Sequence, residues 1–106
     1  MTTFDKRKDA FEAKYALDQE QHFLAYARRN RALGLWAAEK LGKTGADADA
    51  YAKEVVQADL IEAGEEDVFR KVYGDLEAVG LPISETDVRE AMLSHLDAAM
   101  AEIKSR

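Results

Sequence analysis

Cysteine is absent from the 106 residues, which excludes a disulfide staple and any thiolate metal site. Proline occurs once and aromatic residues make up 8%, so a strand-rich fold has little to build from. No apolar run approaches the roughly 18 residues that a membrane span needs. The stretch from Thr2 to Ala10 is polar and lacks the apolar core of a secretory signal. A basic excess is missing too. The formal net charge is −6, which disfavours nucleic acid as a partner, because phosphate-driven binding needs a basic surface.

What is present points one way. Apolar residues make up 47% and charged residues 34%, with Ala, Glu, Asp, Lys and Leu prominent. That composition predicts an all-α chain, folded as a single domain over residues 1–106 and located in the cytoplasm. The charge is uneven. Residues 1–33 hold seven Lys/Arg against five Asp/Glu, while residues 34–106 hold eight against sixteen. A mildly basic head on an acidic body suggests two ends with different tasks.

Residues 3–22 read as a first helical segment. Phe4, Phe11, Tyr15 and His22 fall within about 20° of one line at helical spacing. The remaining faces carry charge or alanine. So thin a stripe buries little, and short helices are marginal in water, so a mobile or partly helical segment is expected. Its apolar line does not align with that of the next segment, so either the two face different partners or a bend near Gln19–His22 reorients them.

Residues 23–42, FLAYARRNRALGLWAAEKLG, form the longest helical run and the spine. Its inner face reads as Phe23, Ala27, Asn30, Arg31, Gly34, Ala38 and Leu41. Small residues at its centre allow another helix to come close. Gly42 fits a left-handed cap, and Thr44 fits the start of the next helix. Residues 46–63 place Ala48, Ala52, Val55, Val56 and Ala63 on one face, with Leu60 at its edge and Asp59 in its middle. Gly64 then stops that helix. Val68, Val72, Leu76 and Val79 line the next one. Ser84 and Asp87 form a capping box for the last, lined by Val88, Met92, Leu96, Met100 and Ile103. Short turns favour antiparallel neighbours, so residues 21–106 read as a four-helix bundle behind residues 1–20.

Several chemical motifs fail on inspection. Gly42-Lys43-Thr44 resembles the end of a phosphate loop, but Ala37 stands where the first glycine belongs, after a helix rather than a strand. Asp47-Ala-Asp49 resembles a calcium loop, but Ala52 and Ala58 occupy its glycine and glutamate positions. Neither His22 nor His95 has a glutamate three residues upstream, so the di-metal bundle signature is missing. No enzyme, metal or cofactor is expected. Asp59 on an inner face needs a partner, and Arg31 (or Arg28) is expected to supply it as a structural ion pair. Trp36, away from the inner face, is expected to pack under the first segment. His22 reads as an ordinary surface residue. A thin aromatic stripe on a charged helix suits insertion into a groove on a protein partner, with the acidic body as handle.

The residues Ala27–Gly42 (ARRNRALGLWAAEKLG) and Gly45–Ala58 (GADADAYAKEVVQA) carry a resemblance to a known family. So do Glu66-Asp-Val-Phe-Arg-Lys71 and the pattern Phe4-Asp5…Arg7…Ala10-Phe11-Glu12…Lys14. Across nearly its whole length the chain resembles the zeta-subunit family, inhibitors of the F-type ATP synthase in alphaproteobacteria. The resemblance implies a four-helix bundle whose amino-terminal helix wedges between catalytic α and β subunits beside the γ stalk. Rotation in the hydrolysis direction is thereby blocked. It also implies peripheral attachment to the membrane-bound synthase and a monomer when free. Phe4, Phe11 and Tyr15 are the implied anchors, with Asp5, Arg7, Glu12 and Lys14 as polar contacts. Three positions depart from the family pattern: Lys8-Asp9 reverses its usual acid-then-base order, and Leu17 stands where histidine is common. The alternative reading is a structural or assembly subunit, or an acidic adaptor, without inhibitory activity.

Overall fold

The computed structural model describes residues 3–61 and 65–106. It contains α1 (Thr3–Tyr15), α2 (Gln19–Lys40), α3 (Gly45–Ile61), α4 (Glu65–Ala78) and α5 (Glu85–Lys104), and no strand among the described residues. The side chain of Leu60, the face position Ala63 and the stop at Gly64 lie outside the described residues.

Local signals set most helix ends. Gly42 and Gly80 take φ of 77° and 75°, the left-handed geometry that lacks steric cost only without a Cβ. Each closes the same motif after its helix: Lys43 N donates to Ala38 O at 2.9 Å, and Leu81 N to Leu76 O at 3.4 Å. At the start of α5, Asp87 N donates to Ser84 Oγ at 3.1 Å and Ser84 N to Asp87 Oδ2 at 3.0 Å. That is the capping box the sequence predicts.

The break between α1 and α2 falls earlier than expected, at residues 16–18 rather than 19–22. Ala16 ends α1 with a φ of 48°, a conformation costing a residue with a Cβ about 1–2 kcal/mol. Asp18 then caps α2: its Oδ1 accepts from Gln21 N at 2.8 Å, and its own N donates to Gln21 Oε1 at 3.0 Å. His22 therefore belongs to α2 and leaves the α1 line. The segment expected to be mobile or partly helical is helical from Thr3 and rests against α5.

α2 is the hub, packed against α3, α5 and α4. Its inner face is turned relative to the sequence expectation. Ala25, Arg29, Asn30, Leu33, Gly34, Ala37 and Ala38 are buried, while Phe23 is 68% exposed. The main core joins Leu33, Ala37, Tyr51, Val55, Val68, Phe69, Val72, Leu76, Val88 and Met92. A second cluster gathers Ala25, Leu96, Ala99, Met100 and Ile103. Val79, expected on the inner line of its helix, lies past the end of α4 and is exposed. Trp36 packs on the main core beside Ile83 and Ala91, with Lys40 Nζ 5.0 Å from its ring centre, rather than under α1.

Gly34 sets the α2–α3 spacing. A Cβ placed there would stand 2.7 Å from Ala52 Cα and 3.2 Å from Ala52 Cβ, so only glycine admits this approach. Gly74, also inside a helix, has nothing within 4 Å of the same construction.

The expected Arg31–Asp59 ion pair is not formed. Arg31 is exposed and reaches Asp49 at 3.4 Å. The buried cation is Arg29, which is not among the residues of the expected inner face. It is 1% exposed. Its Nη1 and Nη2 donate to the two carboxylate oxygens of Glu65 at 2.8 and 3.1 Å, and its Nε donates to Asn30 Oδ1 at 2.7 Å. Asn30 Nδ2 in turn donates to Asp59 Oδ2 at 3.0 Å. Asp59 is thus satisfied by an amide. The buried arc is turned toward Leu33 and Ala37, and Arg29 comes inward with them.

His95 on α5 sits in a groove with Arg28, Arg31 and Leu35 of α2. Burial, and secondarily the charge of Arg29, pushes its imidazole below the usual histidine range.

Three outcomes follow for equilibrium denaturation. Gly34→Ala should lower stability by about 1–3 kcal/mol despite the better helix propensity of alanine, whereas Gly74→Ala should raise it by about 0.5–1 kcal/mol. Glu65→Gln should cost about 3 kcal/mol, because Arg29 then stays buried without a counter-charge, while Arg31→Ala should change stability by no more than about 0.5 kcal/mol. The third is pH-dependent. The folded state holds His95 less protonated than the unfolded state does, so stability is intact above about 6.5 and falls as pH drops through the folded value. His95→Gln should flatten that acid limb in urea titrations at successive pH values.

Candidate functional site

The residues expected to meet a partner all lie on α1, and its geometry follows from a helix with one narrow apolar edge. None of its residues is fully buried. Phe11 and Tyr15, with Leu17 just beyond, pack on the second cluster of α2 and α5. Phe4, Asp5 and Lys8 line a small cavity of about 30 Å³ against Arg29, Arg89 and Leu93. The aromatic line read from the sequence is therefore the edge by which α1 is seated.

Three polar links reinforce this seat. Arg7 Nη1 donates to Glu90 Oε1 at 2.6 Å, with both side chains close to half exposed. Tyr15 Oη donates to Asp97 Oδ1 at 2.6 Å. Tyr26 Oη, on α2, donates to Glu12 Oε1 at 2.7 Å. Lys8 Nζ and His22 Nε2 also approach that carboxylate, at 3.9 and 3.8 Å. Burial, followed by the hydrogen bond to Glu12, pushes the Tyr26 phenol well above the usual tyrosine range. It remains a neutral donor at all ordinary pH.

Of the seven predicted contact residues, Phe4, Arg7, Phe11, Glu12 and Tyr15 thus touch the rest of the chain. Lys14 is exposed, with its Nζ 5.0 Å from the Tyr15 ring centre, and Asp5 is exposed at the cavity edge. The outer side of α1 shows Lys6, Asp9, Ala10, Ala13 and Lys14. Sequence reasoning missed the receiving side: Glu90 and Asp97 on α5, and Tyr26 on α2. Their one available signal is spacing. Glu90, Leu93 and Asp97 lie at i, i+3 and i+7, so two carboxylates flank an apolar residue on one helix face. An amphipathic helix of this kind can offer anchors and charges at helical intervals to a groove.

A family model described as ATPase inhibitor subunit zeta matches residues 1–102, which take in α1 and nearly all of α5. A solution NMR structure of a protein is similar to this chain at 49% identity, covering 78% of this chain and 94% of that chain, with a TM-score of 0.68. No curated protein matches.

Proposed function

The chain belongs to the ATPase inhibitor subunit zeta family, and from that premise we propose that α1 is the element by which it restrains ATP hydrolysis by the F-type ATP synthase. In this reading α1 enters the interface between a catalytic α and β subunit beside the γ stalk and blocks rotation in the hydrolysis direction. Phe4, Phe11 and Tyr15 anchor it, and Asp5, Arg7, Glu12 and Lys14 make polar contacts. Residues 1–20 are the inhibitory segment of one domain, and α2–α5 form a four-helix bundle that serves as handle. The protein is a regulator rather than an enzyme and takes no cofactor. It sits peripherally on the membrane-bound synthase; among the described residues no helix is long and apolar enough to cross a membrane.

One observation carries the proposal. Among the described residues every fully buried one lies in α2–α5, and α1 contributes none. The arm can therefore leave the body without opening the main core, which a helix that must insert elsewhere requires. Its amphipathic edge is narrow, as suits a groove lined from both sides.

Removal of residues 1–17, which spares the Asp18 cap of α2, should abolish inhibition of purified F-type ATPase while leaving the helical circular dichroism of the remainder. In the intact chain, Lys14→Glu should weaken inhibition without moving the melting temperature, since Lys14 is exposed. Undiminished inhibition by the truncated chain would overturn the proposal. Binding of the full-length chain without inhibition would favour an assembly role instead.

A further inference from the structure

We propose that α1 is latched: its seat on α5 and α2 withholds the very face that the ATPase must receive, and inhibition requires the seat to open. The inference rests on the inhibitory reading above and concerns its regulation. Arg7, Glu12 and Tyr15 are each engaged within the chain, with Glu90, Tyr26 and Asp97 respectively. Phe11 and Tyr15 lie on the apolar patch of Leu96, Ala99, Met100 and Ile103. One helix edge cannot serve two receivers at once. The ATPase and α5 therefore compete for it, and apparent inhibitory affinity scales with the fraction of open chains.

The latch is built to be reversible. α1 buries no residue fully, and the Arg7–Glu90 link is 43% and 48% exposed at its two ends. The hinge is biased in both directions. Ala16, an excellent helix former, is held in the left-handed region, which favours straightening. The Asp18–Gln21 capping box favours the bend. Neither glycine nor proline occurs from Tyr15 to His22, so the open form can continue α1 directly into α2 as one helix.

The test alters only the receiving side. Glu90→Ala combined with Asp97→Ala changes no residue of α1. Amide hydrogen exchange in α1 should quicken about tenfold while amides of α2–α5 keep their rates, and the concentration giving half-inhibition of purified F-type ATPase should fall several-fold. Conversely, the chain has no native cysteine, so Lys8→Cys with Arg89→Cys, which line the same small cavity and lie outside the contact set, can be joined by a cleavable bis-maleimide. The joined protein should lose inhibition and regain it when the link is cut. The latch is refuted if wild-type α1 amides exchange like an unfolded peptide, if the double alanine variant matches wild type in both readouts, or if the joined chain inhibits fully. Failure of wild type and all variants to inhibit would overturn the inhibitory reading alone, because the exchange measurement judges the latch without the ATPase.

Discussion

A guanidinium withdrawn from water must be met on all sides, and that requirement at Arg29 organises much of the molecule. Glu65 brings the start of α4 to it, and Asn30 passes the network on to Asp59 of α3. The ring of Tyr26 lies 5.1 Å from the guanidinium carbon, and the same tyrosine holds Glu12 of α1. Three helices and the arm are thus tied, directly or at one remove, to a single charge. Apolar burial supplies the bulk of the driving force, but it is non-directional. The network fixes which way α2 faces and where α4 begins.

How far the sequence could be read depended on the range of each interaction. Signals confined to one turn were legible: the Ser84–Asp87 box, the glycine cap at 42, and the valine and leucine lines of α4 and α5. Gly34 was legible because a glycine amid good helix formers needs a steric reason. The rotation of α2 was not. A periodic pattern gives the spacing of residues around a helix, while the buried arc is chosen by what packs against it. Arg29 and Arg31 stand two residues apart, about 160° around the helix, so turning the buried arc takes one inside and leaves the other out. The break at Ala16 was hidden for a different reason. Alanine carries no turn signature, and its left-handed geometry is imposed by the packing of α1 on α5.

The apolar edge of α1 was visible as an aromatic line, yet its seat was not, because Glu90 and Asp97 lie 83 and 82 residues away in sequence from their partners. Spacing alone places those carboxylates on one face of α5 around Leu93, without saying what that face receives. The family match spans residues 1–102, arm and body alike. The structure adds that the two share a surface, with α5 facing the core on one side and α1 on another.

The links from α1 to α5 rise in step along both helices, from Arg7–Glu90 to Tyr15–Asp97, and the hinge follows immediately at Ala16. The two helices therefore run the same way, with the fixed end beside the last link. A load lifting the amino terminus meets the attachments one at a time, the solvent-exposed one first. A load drawn along the helix axis meets them all together. The arm is held weakly against peeling and firmly against shear.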